Sequence, residues 1–466
     1  MNTEHRTLNT EHRTLNTEHV PHAHLVGVAG VGMNALAQAL AGNGWAVTGS
    51  DRYADDGQEL DVLHKLELAG VRLVPQNGSG ITSLTRAVVI STAIEPDNPD
   101  RLAAVRLGVP IRHRSEMLAG LLQGKRCLAV AGTSGKTTVT GMAGWILEQA
   151  GMDPTVVNGG CVLNWMDARR IGSVRMGRSD LWVIEADESD RSFLNYTPEW
   201  ALITNISADH FDLATSRALF DEFRRRVRCG IVEGVEWGGA GAFEPELATD
   251  GSRFCVDGVP FHLPMPGRHN AGNAVQAARL CERVGVSLTA SAAALGRFQG
   301  IHRRLECVGV ARGVSVVDEY AHNPAKIAAA WRAVAAGHRR VLGFWRPHGF
   351  GPLDLMFNDL VATLRELCRP DDRLFVLPVY YAGGTAQRVR EGHELAGALA
   401  AQGVMAEAVA DYPALQARLL AEAQAGDVVL GMGARDPQLP RFARNLILAL
   451  ADQATRTDCS LASAPK

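Results

Sequence analysis

Short continuous apolar runs, each followed by a glycine-bearing or polar turn and then by a stretch with apolar residues every three to four positions, recur along most of this chain. Runs at 24–28, 46–49 and 87–91 predict strands, with a helix from Gly32 to about residue 41. The pattern returns at 127–131, 155–157, 181–184 and 200–204, and again at 314–318, 340–344, 373–377 and 427–431. Helices are predicted after the second of these groups begins, up to about residue 150 where Gly151 stops it, and over 274–284 and from about residue 325. Continuous apolar runs belong to strands buried on both faces, so mostly parallel sheets flanked by helices are expected. The reading is an α/β protein of three domains: 21–122, Rossmann-like; 123–297, a central phosphate-loop domain with a mostly parallel sheet; and 298–466, a second Rossmann-like domain. A length of 466 residues accommodates three domains of ordinary size.

Residues 2–15 break the pattern: they are two copies of Asn-Thr-Glu-His-Arg-Thr-Leu, with a third copy ending at His19. One apolar residue per repeat cannot build a coiled-coil seam, so 1–20 are expected to be a disordered extension, of the kind that repeated DNA or a displaced start produces. A His-rich metal site is the alternative.

Composition narrows the function. The 47 basic and 50 acidic residues give a net charge of −3, which argues against a nucleic-acid binder or a binder of anionic membranes. Eight cysteines lie apart, without Cys-x-x-Cys, so neither a zinc ribbon nor a redox dithiol is indicated and a reducing, cytoplasmic setting is expected. No apolar run approaches the roughly 18 residues of a membrane span.

The chemistry concentrates after the strand at 127–131, in Gly132-Thr133-Ser134-Gly135-Lys136-Thr137-Thr138. A buried strand feeding such a loop and a helix N-terminus aims backbone N–H groups and the helix dipole at one point, which suits phosphate. Lys136 would meet the β- and γ-phosphates, and the Thr137 hydroxyl a Mg²⁺ ion. Four carboxylates between Glu185 and Asp190, at the end of an apolar strand, repel one another unless a cation joins them; a solvated acidic loop is the other reading. His210 follows the next strand in Asn205-Ile-Ser-Ala-Asp-His210, a position for a metal or phosphate role or for an ordinary packed histidine. Near the N-terminus, Gly30-Val-Gly32-Met33-Asn-Ala, with Asp51 about 20 residues on, reads as a nucleotide-binding turn.

Together these motifs resemble the Mur ligases of peptidoglycan synthesis. The residues that carry the resemblance are the phosphate loop, Glu185-Ala-Asp-Glu-Ser-Asp190, Thr204-Asn-Ile-x-Ala-Asp-His210, Pro266-Gly-Arg-His-Asn270, Arg303-Arg304 and Ser91-Thr92-Ala-Ile-x-Pro-Asp-Asn-Pro99, in that family's order apart from the last, which precedes them. The resemblance implies an ATP-dependent, ADP-forming amide ligase that joins UDP-N-acetylmuramate to an amino acid through an acyl phosphate, with L-alanine as the foremost amine. It also implies a UDP-sugar domain (Gly30, Gly32, Met33, Asp51, Ser91, Thr92), an ATP site (Gly132 to Thr138, Asn270, Arg304, Asp318), catalytic Lys136, Glu185 and His210, and Mg²⁺ on Thr137, Glu185 and His210. Tyr320, His322, Arg346 and His348 would line the amine site.

Some residues depart from the family's pattern. Ser134 and Asn323 stand where histidines are usual, and Gly349 and Pro352 where two arginines would hold the amine substrate's carboxylate. No lysine lies between Lys136 and Lys326, so the carbamylated lysine of several relatives is absent, as in the L-alanine-adding branch. A different amine such as a short peptide, or a catalytically silent UDP-sugar binder, therefore stays open, as does the choice of monomer or dimer.

Overall fold

The structure is a computed structural model, and it describes residues 20–57, 61–207, 211–234, 244–248, 251–381 and 388–462, with the side chains of 454–462 excepted. The repeat extension up to His19 lies outside the described residues. The chain groups into two compact units: the chain up to Gln123 with Ala168–Ile171, and Gly124–Asp167 with Gly172 onward.

The first unit holds one parallel sheet of five strands, β1 (His22–Val26), β2 (Ala46–Ser50), β3 (Val71–Leu73), β4 (Thr85–Ile90) and β5 (Ile111–His113), in the order β3-β2-β1-β4-β5. That order reverses direction between β1 and β4, which is where ligands bind in open α/β sheets. Its core includes Val26, Ile81, Val88, Ala103 and Ala104. A polar network is also sealed inside: fully buried His24 meets Thr48 at 2.8 Å and Asp100 at 3.1 Å.

The second unit contains two larger sheets and a small one. The first has the order β11-β10-β6-β9-β7-β8, made of β6 (Arg126–Ala131), β7 (Thr155–Val157), β8 (Val174–Arg175), β9 (Leu181–Glu185), β10 (Trp200–Ile203) and β11 (Gly230–Glu233). Only β8 runs antiparallel. Because β6 lies between β9 and β10, the loops that follow these three strands emerge side by side.

A three-stranded antiparallel sheet follows, β12 (Glu246–Ala248), β13 (Gly251–Val256) and β14 (Val259–Leu263), where no element was expected. Its hairpin turns at Asp257-Gly258, both with positive φ (47° and 79°), the pairing that two-residue hairpins favour. Helix Arg268–Glu282 then starts six residues before the expected position, because its first two turns are polar toward the site and hide the apolar period.

The last sheet has the order β15-β16-β20-β17-β18-β19: β15 (Glu306–Ala311), β16 (Val314–Glu319), β17 (Arg340–Trp345), β18 (Arg373–Val376), β19 (Ala406–Ala408) and β20 (Asp427–Met432). All but the β15 edge pair in parallel. Apolar residues pack on both faces, Trp331, Leu353 and Leu360 in one cluster and Phe344, Phe442 and Leu446 in the other, as doubly wound strands require.

Candidate active site

The loops after β6, β9 and β10 assemble the phosphate cradle. Helix Lys136–Gln149 has Gly135 as its N-cap, and the segment after β10 clasps the loop that leads into it. Ser134 N donates to Asn205 Oδ1 (3.1 Å), Asn205 Nδ2 donates to Ser134 O (2.9 Å), and Thr204 Oγ1 donates to the same carbonyl (2.6 Å). Thr133 N donates to Asn205 O (3.0 Å), and Ser207 N to Thr133 Oγ1 (3.0 Å). Asn205 thus holds the backbone of Ser134 by both its N–H and its carbonyl.

Lys136 reaches back over this loop, donating to Gly132 O (2.8 Å) and Glu188 Oε2 (2.5 Å), with Asp187 at 3.8 Å. Burial works against its ammonium, but Glu188, Glu185 and Asp187 outweigh it and raise its pKa. Glu185, at the end of β9, accepts from Thr137 Oγ1 (3.1 Å) and from Gly159 N (2.7 Å). Its burial raises its pKa, and Lys136 opposes the rise. His210 lies outside the described residues.

These groups open into a cavity of about 480 Å³. The loop from Thr133 to Thr138 and Glu185 form one wall, helix Arg268–Glu282 a second with Asn270, Asn273 and Gln276, and Arg304, Glu319 and Lys326 a third. Asn270 donates to Pro266 O (2.8 Å), and Asn273 Oδ1 lies 2.7 Å from where a Cβ on Gly135 would stand. The sequence reading gave an ATP-site role to Asn270 and Arg304, placed Glu188 only within the acidic cluster and Asn205 only within the motif that leads to His210, and gave no role to Gln276 or Glu319.

Asp318 is 1% exposed and pairs with Arg303 at 3.2 Å, whereas its neighbour Glu319 lines the cavity and accepts from Leu305 N (2.7 Å). Successive strand residues face opposite ways, so a shift of one position along β16 moves a carboxylate from the cavity to the other face. That alternation was the available signal for Glu319.

Beyond β16, the rings of Tyr320 and His322 stand edge to face with centroids 5.7 Å apart, and those of His322 and His348 at 5.1 Å. Nδ1 of His348 is buried with no hydrogen-bond partner among the described residues. Burial, with His322 and Arg435 nearby, pulls the His348 pKa down to about 4, so the ring is neutral near pH 7. Arg346 is committed elsewhere: Asp436 lies 3.4 Å away and the ring of Tyr412 5.4 Å. Gly349 has φ +111° and caps helix Phe350–Leu367, with Pro352 in its first turn. Arg388 stacks on Phe350 (5.6 Å), and Arg390 pairs with Asp354 (2.8 Å).

In the first unit, Gly30 caps helix Val31–Gly42, Met33 is buried, and Gly32 lies against the Arg114 side chain. Asp51 uses both oxygens on backbone donors, Ala29 N (2.8 Å) and Tyr53 N (3.0 Å), which fixes the glycine turn to β2. Ser91 caps the next turn by accepting from Ala93 N (3.4 Å), and Thr92 beside it is exposed.

Comparison with known proteins agrees along the chain. The family descriptions "Mur ligase family, catalytic domain", "Mur ligase middle domain" and "Mur ligase, glutamate ligase domain" match residues 22–126, 130–220 and 303–435. A UDP-N-acetylmuramate–L-alanine ligase of Paenarthrobacter aurescens is 35% identical, covering 89% of this chain and 94% of its own. Its counterpart from Acidithiobacillus ferrooxidans is 36% identical over 89% and 95%. The crystal structure of a UDP-N-acetylmuramate-alanine ligase from Thermotoga maritima superposes with a TM-score of 0.76 at 25% identity, covering 93% of this chain and 99% of that one. With all three family segments in order on one chain, around a phosphate loop that faces Arg304 and Glu319 across a cavity, this protein belongs to the Mur ligase family.

Proposed function

We propose that the protein is an ATP-dependent, ADP-forming ligase that joins the carboxylate of UDP-N-acetylmuramate to the amine of an amino acid, L-alanine foremost, in peptidoglycan synthesis. The observation that carries this reading is the cavity in which Lys136 and the loop amides face Arg304 and Glu319. In the first step a carboxylate oxygen attacks the γ-phosphorus of ATP, ADP leaves, and an acyl phosphate forms. The amine then attacks the carbonyl carbon, phosphate departs with the C–O electron pair, and the nitrogen loses a proton. Lys136 and the loop N–H groups neutralise charge on the transferring phosphoryl, and little covalent chemistry falls to the protein.

Thr137 and Glu185 offer hard oxygen donors 3.1 Å apart, a set suited to Mg²⁺. Among the described residues there is no group of three or more His, Cys, Asp or Glu side chains that could hold a metal ion, and Thr137 and Glu185 are the residues that would hold Mg²⁺ here. Bound there, it supplies positive charge to the phosphates. His210 is proposed as a further ligand by its place after β10.

Gly30, Gly32, Met33, Ser91 and Thr92 are assigned to the UDP-sugar, with Asp51 holding their turn. Tyr320, His322 and His348 are assigned to the amine, and the functional domains to 21–122, 123–297 and 298–466. No described helix is long and apolar enough to cross a membrane, and we assign the protein to the cytoplasm.

Mass spectrometry of products from ATP, UDP-N-acetylmuramate and a pooled amino-acid mixture tests the reading. The expected product is UDP-N-acetylmuramate carrying one alanine residue. Addition of another amine would correct the substrate, while UDP-sugar binding without any product would favour a silent binding relative.

A further inference from the structure

We propose that Gln276 reads the base of the bound nucleotide and sets a preference for adenine. The proposal rests on the ATP-ligase reading above and extends it to the residue that chooses the nucleotide.

Helix Arg268–Glu282 presents Asn270, Asn273 and Gln276 to the cavity at intervals of three, on one side of the helix. All three are nearly closed off from solvent, at 3%, 9% and 5% exposure. Asn270 Nδ2 donates to Pro266 O, and Asn273 Oδ1 lies 2.7 Å from where a Cβ on Gly135 would stand. Gln276 is different. Its Oε1 is buried and accepts from no donor among the described residues. An unmet buried acceptor is costly, and the few that persist in folded proteins call for a donor supplied from outside the chain.

The chemistry of the walls says which part of a nucleotide supplies it. Phosphates belong at the loop that ends in Lys136, and the charged side chains of Arg304, Lys326 and Glu319 suit phosphate and ribose. A base is uncharged and carries donors and acceptors along its edge, which side-chain amides match. The amide wall is therefore the place for it. Adenine offers an exocyclic amine, a donor, where guanine and hypoxanthine offer a carbonyl acceptor. Gln276 Oε1 completes a hydrogen bond to the first and faces a second acceptor in the others.

The test is calorimetric titration of ATP and of inosine triphosphate, which carries the carbonyl, into the full-length protein and its Gln276→Leu and Gln276→Glu variants, with thermal melting as a control. The wild type is expected to bind ATP at least about tenfold more tightly than the inosine analogue, the scale of a site built around one hydrogen bond. Gln276→Leu should narrow the ratio to about threefold or less by weakening ATP alone, while Gln276→Glu, which keeps an acceptor, should retain the preference. An unchanged ratio in Gln276→Leu, or a lowered melting temperature with the ratio intact, would show Gln276 to be packing and overturn the proposal. A wild type that binds both nucleotides equally would overturn it while leaving the ligase reading standing. Binding of neither would remove both.

Discussion

The ammonium of Lys136 lies 2.5 Å from Oε2 of Glu188, and the two side chains are only 12% and 6% exposed. Each is the other's charge partner inside the cradle. Removing Lys136 leaves the buried Glu188 without its charge partner, which costs about 3–5 kcal/mol, whereas Lys136 without Glu188 still has Asp187 at 3.8 Å. Lys136→Ala is therefore expected to do two separable things: abolish phosphate transfer and lower thermal stability. Adding Glu188→Gln to that variant should recover much of the melting temperature without restoring phosphate release. Activity retained in Lys136→Ala would refute the proposed mechanism.

Glu188 also competes with a nucleotide for the lysine. In the single variant Glu188→Gln the hydrogen-bond acceptor remains and the charge is gone. Steady-state kinetics should give a KM for ATP several-fold below wild type, and a KM above wild type would mean that Glu188 aims the lysine instead of retaining it.

Asn205 holds the Ser134 backbone by its N–H and its carbonyl, which belong to the two successive peptides of the loop. Asn205→Ala removes both bonds at about 1 kcal/mol each, so a rise of roughly 5- to 30-fold in the KM for ATP is expected, with UDP-sugar affinity unchanged. Equal losses for both ligands would point to general unfolding of the unit.

His348 makes stability depend on acid. Its folded pKa is depressed to about 4 from an ordinary 6.5, so the unfolded chain takes up the proton first as pH falls. The stability associated with the neutral ring is complete above about pH 6.5 and is lost as pH falls from there toward about 4. Denaturant melts of wild type and His348→Gln at pH 7 and pH 5 should show the wild type losing on the order of 1–2 kcal/mol more than the variant, after allowance for solvent screening. Parallel losses in the two proteins would remove His348 from the account.

Gly349 occupies φ +111°, a conformation that a side chain resists. Replacing it with Arg, the residue that the family resemblance leads one to expect here, is expected to lower the melting temperature by an amount equivalent to about 1–3 kcal/mol. It should not create an efficient carboxylate clamp, because the turn itself is built for glycine. An unchanged melting temperature together with a lower KM for alanine would show the turn to be adaptable.

Much of the site is local in sequence and was legible for that reason. A strand, a glycine-bearing turn, Lys136 and Thr137 adjoin along the chain, and Glu185 ends an apolar run that could only be a buried strand. The residues that were missed act through contacts made elsewhere. Asn205 matters because β10 neighbours β6, which no local pattern states. Glu319 and Asp318 differ only in the face they take on β16, and the pairing of Asp318 with Arg303 becomes apparent only once the strand has a neighbour on each side. The hairpin of β13 and β14 was readable from Asp257-Gly258, but its strands are half exposed and lack a continuous apolar run.

The sequence by itself determined the α/β class, the parallel sheets, the phosphate loop and the family likeness, because these rest on periodicity and on residues a few positions apart. The tertiary structure decided which side chains line the cavity, Gln276 from a helix whose polar face hid its start and Glu319 from the end of β16, and which carboxylate partners Lys136, namely Glu188. Strand order and side-chain facing arise from packing between segments distant along the chain, and a linear pattern carries neither. The phosphate donor's cradle was therefore plain from the sequence, while the side chains that tune it emerged only from the fold.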